Sequence, residues 1–196
     1  PIITRLYQLH PENSSVTDLY ISHLIAGNRV DEALLLLKGR LDTVKPDEQE
    51  LGRIISIEQH LGRLDSVEVY ADLGIHHYPT TEDFWNLKAW LQMRKKDNRG
   101  AIETLRAALE YAKDSKAKSS LWGNIGDQYH ELGETKKSYS AYYKALSFNP
   151  QNAMVLNNFA SPLSVTGKSL KQALQMAQKA TTLSPNNATY LDTLAW

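Results

Sequence analysis

The sequence predicts an all-α chain built as a solenoid of antiparallel helix pairs, and two regularities of spacing carry that expectation. Five of the seven prolines, Pro11, Pro46, Pro79, Pro150 and Pro185, lie 35, 33, 71 and 35 residues apart, and 71 is about twice 35. One period therefore runs along the chain, and periods of about 20–50 residues mark repeat architectures. A glycine and a proline also recur in near-constant relation: 17 residues separate Gly62 from Pro79 and Gly133 from Pro150, and 18 separate Gly167 from Pro185. Glycine permits the left-handed backbone that closes a helix, and proline is tolerated just past a helix end or in a first turn. One unit is therefore helix, tight turn, helix, short loop.

Composition agrees with a folded chain and narrows its chemistry. Hydrophobic residues make up 42% of 196, too many for disorder. Lys plus Arg and Asp plus Glu both number 22, so no net charge favours nucleic acid or an anionic membrane. No apolar run approaches the roughly 18 residues of a membrane span, so no membrane insertion is expected. The start, Pro-Ile-Ile-Thr, is no signal peptide. The absence of cysteine excludes a thiol nucleophile and a thiolate metal site.

The clearest unit is Ser119 to Asn152, SSLWGNIGDQYHELGETKKSYSAYYKALSFNPQN. Trp122, Ile125, Gly126 and Tyr129 share one helical face, as do Ser138, Tyr142 and Ala145 on the second helix. Small Gly126, Ser138 and Ala145 allow close approach, and large residues fill the space beside them. This segment resembles the tetratricopeptide repeat, a unit of about 34 residues, at the family's Trp, Leu-Gly, Tyr, Gly, small, aromatic, Ala and Pro positions. Ile125 stands for Leu and Ser138 for Ala.

In the same register, residues 82–118 supply Trp85, Ala89, Ala101, Leu105 and Ala108, with Lys96 in place of the turn glycine and a lengthened linker. Residues 47–81 supply Leu51, Ile54, Gly62, Val67, Ala71 and Gly74. Residues 14–46 supply Leu19, Gly27, Ala33 and Leu37 with one extra turn residue, and residues 153–187 supply Leu156, Phe159, Ala160, Gly167, Ala173 and Ala180, again with one extra. Residues 1–13 read as the end of a preceding unit and 188–196 as the start of a further helix, so a larger parent chain is expected. The resemblance implies a right-handed superhelix and a non-catalytic scaffold that binds a protein or peptide. The ending, LSPNNATYLDTLAW, with the longer turn at Gly167, resembles tetratricopeptide proteins of the Bacteroidetes type. That implies a bacterial periplasmic or envelope location, with the cytoplasm as the alternative.

Chemistry is sparse. Gly123-Asn-Ile-Gly126 falls within a helix and lacks the lysine of a phosphate loop. No two histidines lie four apart, and adjacent His76 and His77 point about 100° apart on a helix; no metal or cofactor is expected. No serine or threonine stands in a nucleophile elbow, and carboxylates are unpaired, so no enzyme is expected. Asp47, Glu48 and Glu50 fit a helix first turn. Asn13-Ser-Ser and Asn187-Ala-Thr match a glycosylation pattern, but asparagine is also what such loops prefer.

The solenoid's concave face is lined by the first helix of each unit. Residues there that packing does not explain include Gln49, Ser56, Gln59 and His60, and the more distinctive set is Asn86, Trp90, Met93 and Arg94, then Asn124, Asp127 and His130, then Asn157 and Asn158. Trp90 beside Met93 and Arg94 has the composition of an interaction hot spot. The family's carboxylate clamp is not expected, because Met154 and Asn158 stand where a lysine and an arginine belong. Asp83, Asp127 and Glu131 beside only Arg94 favour a neutral or mixed-charge ligand. A structural or self-assembly module joined through its repeat ends or an outer face, or the interaction part of a larger multidomain protein such as an enzyme subunit, are the alternatives. Pro162 falls inside a first helix and removes the hydrogen bond to the Asn158 carbonyl, predicting a kink.

Overall fold

The protein is described by a computed structural model covering residues 2–41, 45–165 and 169–195. Gly167 and Trp196, both used above, lie outside the described residues. All regular structure among the described residues is helical: α1 (Ile2–Leu9), α2 (Ser14–Ala26), α3 (Val30–Arg40), α4 (Glu48–His60), α5 (Leu64–His77), α6 (Glu82–Arg94), α7 (Asn98–Tyr111), α8 (Ser115–Glu131), α9 (Thr135–Phe148), α10 (Ala153–Val165), α11 (Leu170–Leu183) and α12 (Ala188–Ala195). The fold is the expected α-solenoid of helix pairs. The helices gather into two compact units, one ending at Tyr78 and one beginning at Pro79.

Four tight turns share one closure. Asn28, Gly62, Lys96 and Gly133 all have positive φ, between 58° and 70°. In each, the next residue's N–H donates to the carbonyl five positions back: Arg29 to Leu24, Arg63 to Glu58, Asp97 to Gln92, Glu134 to Tyr129. This is the Schellman closure of a helix C-terminus. It corrects the first unit, where Asn28 and not Gly27 takes the left-handed position; Gly27 has φ −85°. No extra turn residue is therefore needed there, because Asn28, Gly62 and Lys96 stand 34 apart.

The longer loops are closed by caps and by the carbonyls of the periodic prolines. Asn13, Asp47, Asp114, Asn152 and Asn187 each accept a backbone N–H from the first turn of the following helix. Asn13 and Asn187 thus act as helix caps. The Pro11 carbonyl accepts from Thr17 Oγ1, Pro46 from Tyr78 Oη, Pro79 from Trp85 Nε1 and Pro150 from Lys179 Nζ. The lengthened linker before Ser119 is mostly helix, since α8 starts at Ser115 after the Asp114 cap.

In the first unit, Ile21, Leu24, Ala33, Leu37 and Ile54 are buried together, joined by Tyr20 stacked on Tyr7 at 4.4 Å. In the second unit, Ala89, Ala101, Leu105, Leu121 and Ile125 form one core, and Tyr142, Ala145, Val155, Phe159 and Ala173 another. Half-buried Trp122 packs against both. Gly126 is where α8 meets α9 closely: a Cβ there would lie 2.6 Å from the Tyr142 ring. Pro162 sits buried inside a continuous α10, and its carbonyl accepts from Tyr139 Oη at 2.9 Å. Among the described residues no helix is long and apolar enough to cross a membrane.

Candidate partner-binding face

The more distinctive residues on first helices fall in the second unit, on α6, α8 and α10, while Gln49, Ser56, Gln59 and His60 lie on α4 of the first. On α6, packing takes Phe84, Ala89 and Leu91 into the core, while Trp85 donates to the Pro79 carbonyl and stacks on Tyr111 at 5.7 Å. This leaves Asn86 exposed and Trp90 38% exposed. Arg94, one helical turn on, sets its guanidinium 5.0 Å from the Trp90 ring centre. A cation over an indole face holds both flat side chains in place. Met93 does not join them, because it packs against the core.

On α8, Asp127 is half-buried and is the centre of a three-helix network. Its Oδ1 accepts from Tyr142 Oη of α9 at 2.6 Å, and its two oxygens accept from Asn158 Nδ2 of α10 at 3.1 and 3.0 Å. Asn157 Nδ2 donates onward to Asn158 Oδ1 at 3.3 Å. Burial pushes the Asp127 carboxyl up, the hydrogen bonds from Tyr142 and Asn158 pull it down, and the net direction is upward. Burial, with the Asp127 charge beside it, also raises the Tyr142 phenol. Asn157 is only 5% exposed, so it supports the network from inside and is no open contact residue.

The structure therefore brings together Trp90 with Arg94, and Asp127 with Asn158 and Asn157. Half-buried Asn124 and exposed Asn86 and His130 are bonded to neither group among the described residues. Sequence reasoning took Tyr142 only as a packing residue, and nothing in the spacing of 31 residues between Asp127 and Asn158 pairs them.

The first unit holds a second polar site that sequence reasoning missed. Asp18 on α2 accepts from Arg40 at 2.9 Å and Arg53 at 3.1 Å, and Arg40 also reaches Glu50 at 2.8 Å. Burial pushes the Asp18 carboxyl up, but the two guanidiniums outweigh it and hold it below the usual range. With Asp47 and Gln49 these groups line an open recess of about 460 Å³. Elsewhere in that unit, His76 and His77 meet edge to face at 4.7 Å.

Comparison with known proteins places this geometry. Residues 82–115 and 119–152 match the family described as tetratricopeptide repeat. No curated protein matches the chain. Among solved structures the chain is similar to YrrB, described as a TPR protein with an unusual peptide-binding site, at 13% identity and a TM-score of 0.64, over 100% of this chain and 99% of that one. It is similar to MamA from Desulfovibrio magneticus RS-1 at 17% identity and a TM-score of 0.62, over 89% and 96%. It is also similar to a chain of the APC/C hetero-tetramer Cut9–Hcn1 at 17% identity and a TM-score of 0.63, where 98% of this chain spans 38% of that one. Residues 82–115 and 119–152 are thus matched as two tetratricopeptide repeats, and the helices around them share the fold of these solved structures.

Proposed function

We propose that the chain is a protein–protein interaction scaffold and that α6, α8 and α10 of its second unit bind an extended peptide or a protein segment of a partner. The observation that carries this reading is Trp90, an indole 38% exposed on a first helix and steadied by Arg94 at 5.0 Å. An aromatic held rigid before binding loses little freedom on binding, which is the property of an anchor residue. The peptide-binding site named for YrrB supports the same reading by analogy of fold. Asn86 on the same helix, and Asp127 and Asn158 on α8 and α10, supply polar contacts, and no catalytic step belongs to this reading. The repeat divisions at 14–46, 47–81, 82–118, 119–152 and 153–187 are proposed with it.

Affinity purification with the wild-type chain, then with Trp90→Ala and Arg94→Ala, tests it. A partner captured by the wild type should be lost or weakened about tenfold by Trp90→Ala, with the helical circular dichroism unchanged. Capture by both variants as strong as by the wild type sinks the reading.

A self-assembly role is favoured by a different observation. Leu170, Leu174 and Leu191 are 59%, 49% and 46% exposed, and α10, α11 and α12 enclose a mainly apolar recess of about 300 Å³ that Leu170 and Leu174 help to line. Light scattering at several concentrations separates the two, since a strict monomer rules out self-assembly.

A further inference from the structure

We propose that Asp127 and Glu131, with Asn158 beside them, receive a basic side chain of the bound segment, a lysine ammonium or an arginine guanidinium. The inference rests on the binding face proposed above and names the chemistry of its ligand.

Asp127 and Glu131 stand four residues apart on α8, so they share one face, and like charges at that spacing repel. Asp127 is half-buried and Glu131 exposed. Both hydrogen-bonding partners of Asp127, Tyr142 and Asn158, are neutral donors. Among the described residues no lysine or arginine pairs with either carboxylate. Three cations of the neighbouring helices are engaged elsewhere: Arg94 over Trp90, Arg106 with the Tyr129 hydroxyl at 3.0 Å, and Lys137 with Glu134. A carboxylate drawn partly out of water with only the charge of His130 acting on it and no lysine or arginine bonded to it is costly, and a cation supplied by a ligand relieves both the burial and the repulsion.

A second observation, on another helix, points the same way. Asn157 is 5% exposed, and its Oδ1 is buried with no donor. Its Nδ2 gives one of its two N–H groups to Asn158 Oδ1, and Asn158 Nδ2 donates to both oxygens of Asp127. The linked side chains therefore hold more acceptor sites than donors, and a group rich in N–H donors is what balances them. A carboxylate ligand would add acceptors to a site already short of donors.

The test is fluorescence anisotropy with short labelled peptides alike except for the variable side chain, which is lysine, arginine, glutamate or serine. The lysine and arginine peptides should bind about tenfold tighter than the other two. Asp127→Asn should remove that preference, and Glu131→Gln, a change at an exposed position outside the Tyr142 network, should reduce it about threefold. Glu103→Gln, at an exposed position on α7, should leave it intact. Preference for glutamate, or equal loss in Glu103→Gln and Glu131→Gln, overturns the inference. If the serine peptide binds as tightly as the lysine peptide and Trp90→Ala weakens both, the binding face stands and only its basic selectivity falls. If no peptide binds, both fall.

Discussion

Lys38 Nζ donates to Glu58 Oε1 at 2.6 Å, tying α3 to α4 through a carboxylate that is 1% exposed. Ser66 of α5 donates to the same oxygen at 2.8 Å, and Arg63 lies 3.7 Å from the other. Lys38 in turn sits 5.4 Å from the centre of the Tyr70 ring. One buried charge thus joins three successive helices of the first unit. Removing its main partner strands it, so Lys38→Ala should cost about 3 kcal/mol. Changing both to Met should cost far less. Chemical denaturation of the two variants checks this, and equal losses would contradict it.

The same carboxylate gives the first unit an acid sensitivity with a definite sign. Burial pushes the Glu58 carboxyl up, but hydrogen bonds from Lys38 and Ser66 and the charges of Lys38 and Arg63 outweigh it and hold it below 4.5. A depressed folded-state value contributes stability above the unfolded value, and that stability is lost as pH falls through the folded one. Glu58→Gln should therefore flatten the dependence of stability on pH below about 4.5. Thermal melts from pH 6 to pH 3 measure it.

Lys96 occupies the left-handed turn position with φ 61°, where a Cβ costs roughly 1–2 kcal/mol. Glycine avoids that cost but is more flexible when unfolded. Lys96→Gly should leave a net gain of about 1 kcal/mol and raise the melting temperature by about 3 °C. Gly133→Ala, at φ 69°, should move it the other way.

Gly126→Ala should destabilise the second unit by about 2 kcal/mol, because the new Cβ would meet the Tyr142 ring at 2.6 Å. The ring cannot retreat freely, since its hydroxyl is held by Asp127 and its face stacks on Phe159 at 5.0 Å. Chemical denaturation reads the loss, and indifference to the substitution would show that the contact gives way.

What was legible in the sequence follows the period. Trp122, Ile125, Gly126, Tyr129, Ser138 and Ala145 could be assigned to their faces because helix geometry repeats, and the core uses them so. Lys96 was legible as a turn residue only by register, since nothing about lysine itself favours a positive φ. Gly27 misled because glycine is the usual occupant, while the bonds from Asn28 and Arg29 place the turn one residue later. Glu58 was invisible for a physical reason. A glutamate on a helix is ordinarily solvated, and only the arrival of Lys38 and Ser66 from other helices makes its burial tolerable. Asp127 and Asn158 were each noticed singly, but their pairing depends on how α8 and α10 pack.

The shared closure at Asn28, Gly62 and Lys96 has a consequence for lineage as much as for folding. Because the three turns have the same bonds and stand one repeat apart, a recombination event that joins the chain ending with Asn28 to the chain after Gly62 leaves a turn of unchanged geometry. It links α2 directly to α5. Whole units can therefore be gained or lost at these junctions without a new loop having to be invented, so selection can vary the length of the array while each hairpin keeps its own closing bonds.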